Sequence, residues 1–173
     1  MTDDGLRDLN TLLDQMTALI QSIDADALVR PTPCTDWTVR ELTEHVIGTT
    51  TKFADGVGGR EVDWTRSPTI TGDPAAAFAE AALALRTAYE NPAEGATPDW
   101  QCAELATHTW DLATALGHET DDLDPAPAER GLAFVRANLG DEMRGDNFGP
   151  ERAAPEGADA YQRIAAFAGR PVG

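Results

Sequence analysis

Apolar residues recur at spacings of three and four along most of this chain, and nowhere do they alternate. Leu6, Leu9, Leu13, Met16 and Ile20 form the first stripe, and Val39, Leu42, Val46 and Phe53 the second. That period belongs to helices with one buried face. Period-two runs of β-branched residues are missing, and Ala and Leu dominate, so strands have no competing signal. The expected fold class is all-α.

Start and stop signals divide the pattern into elements. The first helix is expected to end near Ile23, and the two prolines of Arg30-Pro31-Thr32-Pro33-Cys34 require a loop. Thr38 followed by Glu41 makes a capping box for the second helix, which Gly56, Gly58 and Gly59 end. Residues 60–72 read as a connecting loop. Asp73-Pro74 supplies an N-cap and a first-turn proline for a third helix carrying Phe78, Ala82, Leu85 and Tyr89. A fourth begins near Pro98, carries Cys102, Leu105, Thr109, Leu112 and Leu116, and stops at Gly117. A fifth follows Pro127, and a short last helix spans about Asp159 to Ala168 beyond an irregular stretch at 144–158. Residues 1–173 therefore read as one domain, a four-helix bundle with one or two additional short helices.

Charge narrows the partners. A net charge of −17 with no Lys/Arg cluster repels phosphate backbones and anionic lipid, so neither nucleic acid nor membrane is an expected partner. No apolar run reaches the roughly 20 residues of a membrane span. The start Met1-Thr2-Asp3-Asp4 lacks the basic and apolar regions of a signal peptide, so a cytoplasmic location is expected. Cys34 and Cys102 are then free thiols, and neither belongs to a Cys-x-x-Cys pair.

The histidines are His45, His108 and His118. His45 lies one turn after Leu42 and so borders the buried face of the second helix. Glu104 and His108 are four apart on the fourth helix, which stacks their side chains with Cβ atoms roughly 6 Å apart. Two helical residues share a metal at this spacing, as in the His-x-x-x-His of zinc proteases, here with a carboxylate in one place. Packing the second helix on the fourth would bring His45 to the pair. Two imidazoles and a carboxylate suit catalytic zinc, which keeps a fourth position open, and also iron, nickel or manganese. Spacing alone equally describes a surface hydrogen-bonded pair and a packed histidine. Asp111, three residues after His108, either orients that imidazole or pairs on the surface. Trp37 and Trp110 either wall a pocket or pack in the core. Cys34 as a nucleophile with His45 as base has no activating neighbour in sequence, Cys102 falls on an apolar stripe, and His118 is given no role.

Two stretches carry a resemblance. Pro31-Thr32-Pro33-Cys34-Thr35-Asp36-Trp37-Thr38-Val39-Arg40-Glu41-Leu42-Thr43-Glu44-His45-Val46-Ile47-Gly48 is one, and Glu104-Leu105-Ala106-Thr107-His108-Thr109-Trp110-Asp111-Leu112-Ala113-Thr114-Ala115-Leu116-Gly117 the other. Both resemble the mycothiol-dependent maleylpyruvate isomerase N-terminal family of the DinB-like metalloenzyme superfamily, and the segment from Phe148 to Pro171 looks like its short, single-domain branch. The resemblance implies a metal held by His45, Glu104 and His108, and a thiol such as mycothiol as co-substrate. It also implies a small-molecule substrate and leaves room for a homodimer. Family members that act as isomerases carry a further C-terminal domain, which is absent from this sequence, so thiol dependence transfers better than maleylpyruvate isomerisation. The expected activity is a thiol-dependent transferase or isomerase in which the metal activates a thiolate. Metal-dependent hydrolysis and a non-catalytic metal-binding or dimerising module are the alternatives.

Overall fold

Among the described residues there are six α-helices. They are α1 (Asp3–Gln21), α2 (Val39–Val57), α3 (Pro74–Ala88), α4 (Asp99–Leu116), α5 (Ala126–Asn138) and α6 (Ala160–Phe167). The computed structural model describes residues 3–34, 37–65, 69–140, 144 and 148–173, and among these no strand occurs. A short 3-10 turn at Ala27–Val29 follows α1 and was not signalled by periodicity.

The first four helices close a ring. The helix α3 packs on α2 and α1, and α4 packs on α1 and α2, while α5 and α6 lie together on the outer side of α4. Leu9, Leu12, Leu13 and Met16 from α1 meet Val39, Leu42 and Val46 from α2, Phe78 and Leu85 from α3, and Leu105 and Leu112 from α4 in one core. The loop ahead of α2 folds back on itself. The Thr32 amide and hydroxyl both donate to the Trp37 carbonyl, and the Val39 amide donates to the Arg30 carbonyl.

Most ends fall where the local chemistry puts them. The Thr38 hydroxyl accepts from the Glu41 amide while the Glu41 carboxylate accepts from the Thr38 amide, and Asp73 caps α3 ahead of Pro74. Gly117 adopts φ 78° beyond α4, as a left-handed C-terminal cap requires. The start of α5 needs correction. Pro127 lies inside its first turn rather than before it, because the amide that proline lacks has no intrahelical partner there.

The α4 helix departs most from an amphipathic picture. It buries residues all around its circumference, from Cys102 and Leu105 on one side to Ala103, Thr107, His108 and Asp111 on the other. A helix covered on every side loses its polar stripe. Its contact with α5 is close, since a Cβ placed on Gly131 would lie 2.7 Å from the Ala103 Cα.

Candidate metal centre

The α2 helix presents His45 and α4 presents Glu104 and His108 to the same point. The His45 Nε2 lies 2.8 Å from Glu104 Oε1, and the His108 Nε2 lies 3.3 Å from the same oxygen. One ligand-type atom from each residue falls within 4.8 Å of the other two. The imidazole rings stand edge to face, with centroids 5.0 Å apart. The Thr49 hydroxyl, one turn after His45, reaches its Nε2 at 3.5 Å.

A layer of polar groups stands behind His108. The His108 Nδ1 lies 3.0 Å from Asp111 Oδ2, and Asp111 is wholly buried. Asp111 is thus not a surface residue: α6 and the segment after it cover this side of α4. Arg170 completes the set. Its Nε donates to Asp111 Oδ1 at 3.0 Å, and its Nη2 donates to Asp111 Oδ2 at 3.0 Å and to Cys34 Sγ at 3.2 Å.

The electrostatics test whether a cation fits. With the Nδ1 hydrogen of His108 directed at Asp111, a neutral ring turns the lone pair of Nε2 toward the Glu104 carboxylate. Two acceptors 3.3 Å apart need a proton or a cation between them. In the protein alone the proton fills that gap. Burial opposes charge on His108, but the carboxylates of Glu104 and Asp111 outweigh it and push the imidazole up to about 9. Burial likewise opposes ionisation of Glu104, yet the charge on His108 and hydrogen bonds from both imidazoles hold its carboxyl well below the usual range. The donor set therefore suits a divalent ion. A second grouping, Cys34, His108 and Asp111, also lies within 4.8 Å, but the Arg170 guanidinium already sits on its sulfur and carboxylate and disfavours a further cation.

The cluster opens into a cavity of about 420 Å³. Trp37 forms one wall, its ring centroid 4.5 Å from that of His45. Trp64 and Trp100 stand at the partly exposed rim. Lys52, the chain's single lysine, lines the cavity two turns along α2 from His45 and donates to the Trp64 carbonyl at 3.2 Å. Trp110 does not reach this space. It packs in the core instead. Thr49 and Lys52, at i+4 and i+7 from His45, share its side of α2 and were legible from helical spacing. Arg170 was not singled out, although Gly169 just beyond an apolar stripe marks a chain reversal there. His118 is exposed.

The all-helical bundle fits the DinB-like superfamily. The family model described as the mycothiol maleylpyruvate isomerase N-terminal domain matches residues 9–97, and the chain belongs to that family. The matched region contains His45, whereas Glu104, His108, Asp111 and Arg170 lie beyond it. Two curated Mycobacterium tuberculosis proteins are similar over nearly their whole length. They are uncharacterized protein MT0763 of strain CDC 1551 / Oshkosh and uncharacterized protein Rv0738 of strain ATCC 25618 / H37Rv. Each is 34% identical over 181 residues, covering 92% of this chain and 93% of the relative. No solved structure matches.

Proposed function

We propose that this protein binds one divalent metal ion, zinc for preference, through His45, Glu104 and His108. With it, the protein acts as a thiol-dependent transferase or isomerase on a small electrophilic substrate, with mycothiol as the thiol. The carrying observation is the convergence of two imidazoles and one carboxylate at the floor of a cavity large enough for a small molecule. Membership of a family named for mycothiol chemistry supports the choice of thiol. A bound divalent cation would supply Lewis acidity, lowering the pKa of a thiol that enters its open position.

The chain's own groups do the rest. His45, Glu104 and His108 contribute one negative charge, so a dication keeps net positive charge to offer an incoming thiolate. Asp111 holds the Nδ1 hydrogen of His108, which leaves Nε2 as the donor atom facing the cavity. Trp37 shields the His45 ring on one side, and the apolar walls given by Phe53, Val135 and Ile164 keep water from much of the space. Cys34 is not the nucleophile in this reading. Burial pushes its thiol up to about 11, and the nearby Arg170 offsets this only in part.

Elemental analysis of the purified protein tests the first half: about one equivalent of a transition metal is expected, absent from His45→Ala and His108→Ala. Thermal-shift titration with mycothiol tests the second half, because a ligand of the native state raises Tm with its concentration. Metal retained in full by both variants refutes the centre. Turnover of an electrophile without any thiol moves the assignment to hydrolysis.

A further inference from the structure

From the covered side of α4, we infer that Arg170 is a positioning residue of the metal centre: it orients His108 through Asp111. This rests on the reading of His45, Glu104 and His108 as ligands.

Three observations carry it. The Asp111 carboxylate is fully buried, so its charge needs a partner of opposite sign and a fixed geometry. Arg170 supplies both through Nε and Nη2, using the planar fork that matches a carboxylate. Asp111 Oδ2 is at once the acceptor for Arg170 Nη2 and the oxygen 3.0 Å from His108 Nδ1. Rotation of that carboxylate therefore cannot occur without turning the imidazole. Partners of this kind, one bond removed from a ligand, set ring orientation and donor strength at metal centres.

The chain is built to deliver this guanidinium. After α6 the Gly169 amide donates to Ala166 and the Arg170 amide to Ala165, the paired bonds of a Schellman reversal. Gly169 has φ 90°, and a Cβ there would lie 2.6 Å from the Gly149 Cα. The two glycines thus allow the segment to double back against itself and point Arg170 into α4. Two further arginines stitch the same segment. Arg144 donates to the Gly149 and Phe167 carbonyls, and Arg152 donates to the Gly169 carbonyl. Arg170 goes further and reaches a side chain bonded to a ligand.

Arg170→Gln, Arg170→Lys and Arg152→Ala, compared with the wild-type full chain, test the inference by two readouts. In the metal-free protein, the His108 Nδ1 hydrogen should give a downfield imidazole proton signal in wild type and Arg152→Ala, and Arg170→Gln should lose it to exchange. With metal, Arg170→Gln should bind zinc roughly 10- to 100-fold more weakly and alter the visible absorption of the cobalt(II)-substituted protein. Arg170→Lys should recover part of the affinity, whereas Arg152→Ala should lower Tm alone. An Arg170→Gln protein with wild-type proton signal, affinity and cobalt spectrum overturns the inference, as does a loss of Tm alone. If Arg170→Gln does not fold, Arg170→Lys decides, and wild-type affinity and spectrum in it overturn the inference. Wild type that takes no metal but shows the Arg170-dependent proton signal would sink the metal reading and leave the orienting contact standing.

Discussion

The Nε2 of His45 lies 2.8 Å from Oε1 of Glu104, and this contact joins the polar floor of α2 to that of α4 across 59 residues of sequence. The His45 and His108 rings add an edge-to-face contact between the same helices, and Val46 and Leu105 belong to the apolar core they share. The floor of the cavity is therefore held by charged groups whose removal acts on stability and on ligand binding together.

Glu104→Gln tests that coupling. The amide keeps the size of the carboxylate but not its charge, so it removes one of the two carboxylates that flank His108. Loss of a hydrogen bond to a charged group costs about 1.5–3 kcal/mol, so urea unfolding of the metal-free variant should show a lower midpoint. Its zinc affinity, measured by chelator competition, should also fall, because a neutral amide oxygen is the poorer ligand for a dication.

Metal affinity should rise with pH. The second proton on His108 must leave before Nε2 can bind a cation, and this proton is held up to about 9. Below that pH each unit should change zinc affinity by about tenfold for one competing proton. In the metal-free protein the sign is opposite. The His108 imidazole is raised above its ordinary value of 6.5, so its contribution to stability is complete below that value and is lost as pH rises through about 9. Chelator competition and thermal melts across this window should therefore slope in opposite directions.

Cys34 should resist alkylation in the native protein. Its thiol is pushed up to about 11 and that of Cys102 to about 12, chiefly by burial, so little thiolate exists at neutral pH. Mass spectrometry after iodoacetamide treatment should find both thiols slow to label until the chain is denatured. Rapid native labelling of Cys34 would contradict the site described and reopen it as a nucleophile.

Gly131→Ala should destabilise the fold. Its added methyl would meet the Ala103 backbone at 2.7 Å, which a side-chain rotation cannot relieve. Forcing α5 away from α4 is expected to cost about 1–3 kcal/mol, read as a lower denaturation midpoint.

Much of this architecture was legible because its signals are local. The reciprocal bonds of Thr38 and Glu41, the Asp73-Pro74 start and the Gly117 stop depend on residues within one turn of each other. The neighbourhood of Glu104 and His108 follows from helical geometry in the same way, and the approach of His45 follows once α2 packs on α4. What escaped depends on distant chain. Asp111 could be read as an exposed residue because nothing near it in sequence says that α6 and Arg170 will cover it. The stripe through Cys102, Leu105 and Leu112 is real, but the opposite face of α4 is buried as well, and a single period cannot signal two covering layers.

The enclosure of α4 also limits how such a chain can diversify. One residue inserted between Asp99 and Glu104 would swing each side chain on one side of the insertion by about 100° relative to the other. With neighbours on all sides, no such turn would be silent: Asp99 would leave Arg130, or Glu104 would leave His45. New specificities are far easier to write into the segments carrying Trp64 and Phe148 at the cavity than into the helix that forms its floor.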